Sequence, residues 1–257
     1  MKRIHLFEFE DLSGFPQWIR NGLTAYIETL HKLIKTPDQL APLIQQSLEH
    51  SKSNSIYDFC SGAGGPMLES FEKLKESNQN LKLYLSDLYP NETAIHRVSK
   101  VKGVHYKKEP VDVCQQNHPL GGLRTLICSF HHLKPKQAQK VLQSAINAKE
   151  PILIYEISDN SLPIWLWWIS IPFTFLSTFF ISLAVRPFTF NRFLFTYILP
   201  IYPLFIAWDG AVSNARTYTE KDLNELLSNC NIKEYNFEIG KIKGKMSSQI
   251  YLIGKPA

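Results

Sequence analysis

The sequence predicts an α/β protein built on a mostly parallel sheet of seven strands. Three observations carry this prediction. Short apolar runs alternate with amphipathic stretches from residue 55 to residue 157, and two further strand-like runs close the chain. The composition, 44% hydrophobic and 20% charged over 257 residues, is typical of a globular protein. Strands that alternate with helices in this way form βαβ units with helices on both faces of the sheet.

Individual elements follow from local patterns. Apolar residues recur at helical spacing between residues 15 and 50, where Pro37 starts a second helix. Five strands are expected next, at 55–59, 81–85, 104–106, 124–129 and 152–157. Helices are expected between them, at 66–75, 91–100 and 136–148. Thr219 caps a helix that ends near Asn229, and the closing strands 233–239 and 248–254 form an antiparallel edge hairpin.

The chain accordingly divides into four parts. They are an N-terminal helical cap at 1–50, a core at 51–160, an apolar insertion at 161–208, and the C-terminal part of the core at 209–257.

Charge and cysteine content exclude several functional classes. The net charge of +5 is too small and too dispersed to indicate nucleic-acid binding. The cysteines stand singly, without a CxxC pair, so we expect no metal site and no disulfide framework. Single cysteines favour a reducing, cytoplasmic environment. The N-terminus runs into acidic residues without an apolar stretch, and this predicts no signal peptide.

A glycine-rich turn after the first strand is the most informative stretch. Asp58 lies near the end of that strand, and Gly62-Ala63-Gly64-Gly65 leads into a helix. Glycines allow a sharp turn and close approach of a ligand. The loop after the first parallel strand lies at the carboxyl edge of the sheet, where open α/β folds bind ligands. A carboxylate there suits an ammonium group and disfavours a phosphate. A Rossmann-like domain that binds another nucleotide is the alternative.

Further polar residues follow the next strands. Asp87 follows the second strand, where a carboxylate can accept both hydroxyls of a ribose. Asp112 follows the third strand, where it can accept from an adenine amino group. The run Ser129-Phe130-His131-His132-Leu133 closes the fourth strand. All of these residues are expected at one edge of the sheet.

In this order, the stretches Asp58 to Gly65, Ser86-Asp87, Val111-Asp112-Val113 and Ser129 to Leu133 resemble the successive motifs of class I S-adenosylmethionine-dependent methyltransferases. The resemblance covers residues 55–160 and 215–254. It implies a Rossmann-like fold, methyltransferase activity and S-adenosylmethionine as cofactor. The cofactor-binding residues that it implies are Asp58, Ser61, Gly62, Ala63, Gly64, Asp87, Leu88, Asp112, Val113, Ser129 and Phe130. Among them, Asp58 and the glycine turn would hold the methionine part.

Catalytic and substrate-binding candidates are fewer. Methyl transfer is an in-line displacement, so a base is needed only if the methyl acceptor must lose a proton. His131 and His132 are the candidates for this base, with structural packing as the alternative. Because they are neighbours in the sequence, we expect them to point to different faces and to make a poor metal-ligand pair. Substrate candidates on the first helix are Trp18, Arg20 and Tyr26, which are equally consistent with helix packing.

Two acids near the same rim complete the substrate candidates. Glu156 ends the fifth strand, and Trp208-Asp209 follows the apolar insertion. Either acid could bind the methyl acceptor, cap a helix or pair with Arg216.

The insertion contains 24 consecutive uncharged residues, 162–185, which is long enough for a transmembrane helix. Two full transmembrane helices would place Arg186 and Arg192 on the far side of the membrane from the core, against the positive-inside tendency. A re-entrant or interfacial hairpin fits better, with tryptophans near its ends at Trp165, Trp167, Trp168 and Trp208. The alternatives are a lid over an apolar pocket, and a dimerisation surface or buried helical hairpin.

Together these features predict a methyltransferase for a hydrophobic small molecule such as an isoprenoid, quinone, sterol or fatty acyl compound. We expect it on the cytoplasmic side of a membrane, held there through residues 162–208; a cytoplasmic location is the alternative. Two other functions stay open. One is a non-catalytic, membrane-anchored sensor or assembly protein that binds S-adenosylmethionine, and the other is a soluble methyltransferase with an apolar lid.

Overall fold

A computed structural model describes residues 1–244 and 248–257, and over these residues the strands form one seven-stranded sheet. The strands are β1 Ser55–Phe59, β2 Lys82–Ser86, β3 Val104–Tyr106, β4 Leu123–Ile127, β5 Ile152–Glu156, β6 Tyr235–Lys243 and β7 Ser248–Pro256. Their order is β3-β2-β1-β4-β5-β7-β6. β1 to β5 are parallel, and β7 is antiparallel to both β5 and β6. The predicted mostly parallel sheet with an antiparallel edge hairpin is confirmed.

Helices cover both faces of this sheet. They are α1 Gln17–Leu33, α2 Thr36–Leu48, α3 Gly65–Ser77, α4 Glu92–Val98, α5 Pro135–Ala148, α6 Ile164–Ile181, α7 Phe190–Phe193, α8 Ile201–Arg216 and α9 Glu220–Ser228. Buried residues of α2 and α3 form one hydrophobic core with the sheet, and those of α5 and α9 form the other. Thr219 is the N-cap of α9, as predicted, and it forms a capping box with Asp222 in which each side chain accepts from the other residue's backbone N–H.

Element boundaries differ from the predictions by a few residues. The fourth strand ends at Ile127 because Cys128 adopts a left-handed conformation, with φ of 53°, that no strand accommodates. The closing strands are nine residues each, longer than predicted, because the hairpin pairs Tyr235 with Pro256 at one end and Lys243 with Ser248 at the other.

The N-terminal cap connects the core to the insertion. α2 packs against α3, whereas α1 packs against α8 through a separate apolar cluster. Its buried members are Phe15, Ile19, Leu23, Tyr26, Tyr202 and Ile206. Gly22 permits this contact, since a Cβ there would collide with the Tyr202 ring. The preceding segment runs beside α8, where the Ile4 N–H donates to the Ala215 carbonyl at 2.9 Å.

The insertion is a helical hairpin, as predicted. α6 packs along α8, and between them lie α7 and a π-helical segment, Leu194–Ile198. Large apolar side chains are exposed along α6 and the 3₁₀ turn Ser182–Ala184 that follows it, at the helical spacing of Ile169, Phe173, Leu176, Phe180 and Leu183. Trp168 is also exposed, whereas the side chains of the predicted interfacial residues Trp165 and Trp167 lie outside the described part of the chain. The boundary placed between 208 and 209 lies within α8.

Over the described ranges, no single helix is both long and apolar enough to cross a membrane. The pair Phe190–Ile198 and Ile201–Arg216, bent by 73°, meets the requirements of length and composition only when its two parts are taken together.

Candidate active site

The glycine turn has the backbone that its sequence predicts. Between β1 and α3, φ is positive at Cys60 (54°), Gly62 (53°), Gly64 (95°) and Gly65 (40°). Such values are free of strain only for glycine, so Cys60 is the one side chain in the turn held in a disfavoured conformation. A Cβ at Gly64 would also lie 2.6 Å from the side chain of Leu68. The turn is therefore open toward the carboxyl edge of the sheet and closed toward α3.

Asp87 joins this turn to the end of β2. Its Oδ2 accepts the Gly62 N–H at 2.8 Å, and its Oδ1 accepts the Tyr89 N–H at 2.8 Å. Tyr106 fixes the same turn from β3 by donating its hydroxyl to the Gly62 carbonyl at 2.6 Å. Burial raises the pKa of Asp87, against these backbone hydrogen bonds. Because a carboxylate has about four acceptor positions, two remain for a pair of hydroxyls.

Asp58 lies beneath the turn, almost fully buried. Its Oδ1 accepts the Thr125 hydroxyl at 2.6 Å, and the Ser61 hydroxyl donates to its main-chain carbonyl at 2.8 Å. Burial raises the pKa of Asp58 to about 7. The carboxyl group is therefore poised between its two protonation states at neutral pH, and a nearby cation would favour the charged state.

Asp112 follows β3 and caps a short 3₁₀ helix. Its Oδ1 accepts the Cys114 N–H at 2.9 Å, and its Oδ2 accepts the Gln115 side-chain amide at 3.0 Å. The neighbouring Val111 N–H donates to the Asp87 carbonyl at 2.8 Å, and this bond places the two acidic loops side by side. Leu88 is exposed at their rim, and Val113 is buried behind them.

The residues after β4 are mostly buried. The Ser129 hydroxyl has no hydrogen-bond partner among the described residues, and the Phe130 ring packs against Tyr218 with centroids 5.3 Å apart. The Phe130 side chain thus belongs to the core, and only its backbone is available to a ligand at the sheet edge. Ser129 leaves one buried donor free.

His131 and Glu156 form a buried pair between the ends of β4 and β5. Glu156 accepts the His131 backbone N–H at 3.0 Å through Oε1 and lies 2.9 Å from Nδ1 through Oε2. A hydrogen bond to the Glu156 carboxylate requires Nδ1 to donate, and Nε2, which lies 3.9 Å from Oε1 of Glu8, then carries the lone pair. Glu156 therefore lies at the predicted rim, where it orients His131 and has no bond to Arg216.

His132 has a different environment. Its Nδ1 lies 2.8 Å from Oδ1 of Asp11 and 3.6 Å from Oε2 of Glu8. Although burial opposes the charged form, Glu8 and Asp11 raise the pKa of His132 to about 9. At neutral pH His132 is a cation, and it is unsuited to act as a base.

The expectation that the two histidines point to different faces is wrong. They lie in a 3₁₀ turn, Phe130–His132, and their ring centroids are 4.3 Å apart. Glu8 joins them, so that one possible ligand atom from each of the three residues lies within 4.8 Å of the others. Arg216 Nη1 lies 3.1 Å from Glu8 Oε1 and opposes a cation at this position.

The N-terminal segment supplies acids that the sequence reasoning did not place in the site. Arg216 binds Asp11 at 2.6 Å and Glu8 at 3.1 Å, and these contacts hold the segment beside the histidines. Asp209 accepts the Phe9 N–H at 2.9 Å and so caps the short 3₁₀ helix Phe9–Asp11. Burial raises the pKa of Asp209 to about 7. Of the roles considered for Asp209, helix capping is therefore the one that matches its contacts. Its neighbour Trp208 donates its indole N–H to the Phe7 carbonyl at 3.1 Å.

The three candidates on α1 point in different directions. The Trp18 ring packs against Phe195 of the insertion at a tilt of 38°, with centroids 4.5 Å apart, and the hydroxyl of the buried Tyr26 bonds to α6. Only Arg20 adjoins the acidic loops, with its guanidinium carbon 5.3 Å from the centre of the Tyr89 ring.

Sequence reasoning missed a second link from α1 to the glycine turn. Arg97 on α4 binds both carboxylate oxygens of Glu28 on α1, at 2.7 and 3.1 Å, and donates to the Ala63 carbonyl at 2.5 Å. The two charged residues are far apart in the sequence, and no local pattern marks either one.

The strand order, the antiparallel β7 and the glycine turn flanked by acids define the fold of class I S-adenosylmethionine-dependent methyltransferases. No family model and no curated protein matches the chain. Solved structures do. Human N-acetylserotonin methyltransferase in complex with S-adenosylmethionine has a TM-score of 0.51 at 13% identity, over 88% of this chain and 54% of that one.

Two further structures give the same result. The mitomycin 7-O-methyltransferase MmcR has a TM-score of 0.51 at 12% identity, over 87% of this chain and 54% of its own. A protein from Nostoc punctiforme PCC 73102, described as an O-methyltransferase, has a TM-score of 0.50 at 13% identity, over 87% and 56%. The chain thus spans little more than half the length of these proteins. At such identities the likeness establishes the shared fold, as the sequence motifs predicted.

Proposed function

We propose that the chain transfers the methyl group of S-adenosylmethionine to a hydrophobic small molecule at a membrane surface. One observation carries the cofactor assignment: the turn 58–65 and the acidic loops 86–89 and 111–113 are hydrogen-bonded into one unit at the carboxyl edge of the sheet. We call this unit the cofactor edge. Solved structures with the same fold include methyltransferases, one of them bound to the cofactor.

Each acid of the cofactor edge suits one part of the cofactor. Asp58, with its pKa raised to about 7, favours a cationic partner such as the methionine ammonium group. Asp87 retains acceptor positions for the ribose hydroxyls, and Asp112 does so for the adenine amino group. Exposed Leu88 provides an apolar surface at the rim.

Of the two histidines, His131 is the better catalytic candidate. Glu156 orients its ring and leaves Nε2 as a proton acceptor, the arrangement of a carboxylate–histidine general base. His132, a cation at neutral pH, holds the N-terminal segment in place. A methyl acceptor with an ionisable hydroxyl or similar group would lose its proton to His131 as the methyl group is transferred. This arrangement favours catalysis over the non-catalytic sensor.

The insertion supports a hydrophobic methyl acceptor and membrane contact. Four large apolar side chains on one face of α6 are exposed, as is Leu183 just after it, and exposed apolar residues continue at Phe190, Phe193 and Leu204. An exposed apolar surface of this kind marks a site of association. α1 contacts both regions, through Arg20 at the cofactor edge and Trp18 at the insertion. A molecule delivered from the membrane would therefore arrive close to the cofactor.

Calorimetric titration with S-adenosylhomocysteine tests the cofactor assignment. The parent and the control Asp38→Asn, a surface substitution on α2, should bind equally well. Asp87→Asn should bind about 10- to 100-fold more weakly, because it loses charge-assisted hydrogen bonds. Absence of binding to the parent would refute the methyltransferase proposal.

Flotation with phosphatidylcholine vesicles tests the membrane contact. The parent should float with the vesicles, and Phe173→Glu/Phe180→Glu should stay behind. Leu33→Glu/Ile232→Glu adds the same charge at exposed apolar positions elsewhere and should still float. A parent that never floats but dimerises through α6 would favour a dimerisation surface; one that neither floats nor dimerises would favour a lid.

A further inference from the structure

Arg192, inside the insertion, is a buried guanidinium without a carboxylate partner. It is 6% exposed, and its Nη2 donates to the Gly22 carbonyl at 3.3 Å. Its Nη1 has no hydrogen-bond partner, and no ion pair involves it, anywhere in residues 1–244 and 248–257. A buried charge costs free energy unless it is paired. We therefore expect its counter-charge to come from another molecule.

Two buried hydroxyls in the same part of the insertion also lack partners. Ser182 and Thr196 are fully buried, and neither side-chain oxygen has a hydrogen bond to any described residue. Thr196 lies one helical turn beyond Arg192. Ser182 follows α6, whose Phe179 carbonyl accepts the Tyr197 hydroxyl at 2.6 Å and ties the two segments together. Buried polar groups normally have hydrogen-bond partners. Three side chains in one region with unpaired polar atoms, Arg192, Ser182 and Thr196, therefore require an explanation.

Contacts with α1 place these groups in one region of the fold. Arg192 reaches α1 at Gly22, and Tyr26, one turn further along α1, bonds to Thr178, one turn before Ser182. The guanidinium carbon of Arg192 lies 5.4 Å from the centre of the Tyr202 ring. The unpaired donors therefore lie between α1 and the middle of the insertion.

Residues next to Arg192 in the sequence lie at the surface. Arg192 lies between Phe190 and Phe193, which are 73% and 42% exposed. The π-helical segment Leu194–Ile198 follows directly. π-helical turns are rare in proteins, and those that occur are often found at functional sites. A ligand that enters here would have its apolar part against the exposed side chains and its polar end inside.

We propose that Arg192, Ser182 and Thr196 bind the anionic head group, a carboxylate or phosphate, of an amphipathic molecule whose tail lies along the exposed face of the insertion. The planar fork of a guanidinium matches two oxygens of such a group, and the hydroxyls can donate to the others. The inference specifies the methyl-acceptor class of the proposed function and rests on it. A free acyl molecule and a bilayer lipid would both offer this chemistry.

Binding of monomeric oleate, compared with oleyl alcohol, tests the charge requirement. The parent and the control Arg186→Met, an exposed arginine of the same insertion, should both prefer oleate. In Arg192→Met the oleate affinity should fall about 10- to 100-fold, whereas the affinity for oleyl alcohol should not change. This result identifies a free acyl molecule as the source of the head group.

Vesicle binding provides the second arm. If the head group belongs to a bilayer lipid, the parent should prefer phosphatidylglycerol-containing vesicles to pure phosphatidylcholine, and Arg192→Met should lose the preference that Arg186→Met retains. A parent with no preference for the anion in either arm would overturn the proposal, as would a preference that survives Arg192→Met.

Two further variants protect the test against misfolding. Arg192→Lys keeps the charge and should retain part of the preference for oleate. Ser182→Ala/Thr196→Val keeps Arg192 and should weaken oleate binding by about 3- to 10-fold. S-adenosylhomocysteine binding, measured on the same samples, reports on the proposed function separately: intact cofactor binding with unchanged oleate affinity refutes only the head-group site.

Discussion

The acids at the cofactor edge accept hydrogen bonds from backbone and side-chain groups, and the apolar residues behind them are buried. In the insertion, large apolar side chains face outward, whereas Arg192 and two hydroxyls are buried without partners. The first arrangement is that of a protein folded in water, where apolar burial stabilises and buried polar groups find partners. On the proposals made above, the second would be completed by an apolar phase and an anionic group from another molecule. The contrast suggests experiments on both regions.

The largest effect is expected for His131, after the end of β4. His131→Ala should lower kcat by about 10²- to 10⁴-fold, the usual contribution of a general base, and leave S-adenosylhomocysteine affinity unchanged. The assay is transfer of a labelled methyl group from the cofactor to a total lipid extract. His105→Ala, an exposed histidine on β3, is the matched control. Full activity of His131→Ala would remove the base from the mechanism.

Next in size is the effect of pH on the bonds that hold the N-terminal segment. The pKa of His132 is raised to about 9, above its usual 6.5, so protonation of His132 stabilises the fold. The contribution is complete below pH 6.5 and disappears as the pH rises through 9. It amounts to at most about 3 kcal/mol.

Denaturant unfolding of His132→Gln and of the parent at several pH values measures this contribution. The difference in free energy of unfolding should be large at pH 6 and small at pH 10, with Glu8, Asp11 and Arg216 as the charged neighbours. A pH-independent difference would mean that His132 contributes only packing.

A smaller effect concerns Asp58, whose environment is incomplete without a cation. Its pKa of about 7 lies above the usual 3.8, so ionisation destabilises the fold as the pH rises from 4 to 7. Asp58→Asn should therefore be more stable than the parent at pH 8 and bind S-adenosylhomocysteine about 10-fold more weakly. Binding to the parent at pH 7 should release protons, seen as a buffer-dependent enthalpy that Asp58→Asn lacks. Equal enthalpies in all buffers would separate Asp58 from the ammonium group.

The smallest effect should come from the link between α1 and the glycine turn. Glu28→Gln removes the charge that pairs with Arg97, and S-adenosylhomocysteine affinity should fall by about 2- to 5-fold, because half-exposed ion pairs contribute little. Glu69→Gln, in the exposed pair with Lys73, should have no effect on affinity. If Glu28→Gln strengthens binding, α1 hinders entry of the cofactor.

Much of the core was predictable because its signals are local. The turn between β1 and α3 was predicted from its glycines, and four of its residues have positive φ. Asp87 and Asp112 follow the ends of β2 and β3, as predicted. The apolar insertion was predictable from its 24 consecutive uncharged residues. The proximity of the His131 and His132 rings was mispredicted because a residue distant in sequence lies beside both of them: Glu8 is 3.9 Å from Nε2 of His131 and 3.6 Å from Nδ1 of His132.

The sequence alone determined the alternation of strands and helices, the place of the glycine turn and its acids, and the presence of an apolar insertion. These depend on spacing along the chain and on the ends of strands. Only the tertiary structure decided that Glu156 orients His131, that Arg97 joins Glu28 to the turn, and that Arg192 is buried. Each depends on packing between segments distant in sequence, because a side chain's partner and its exposure to water are set by the neighbours that folding brings to it.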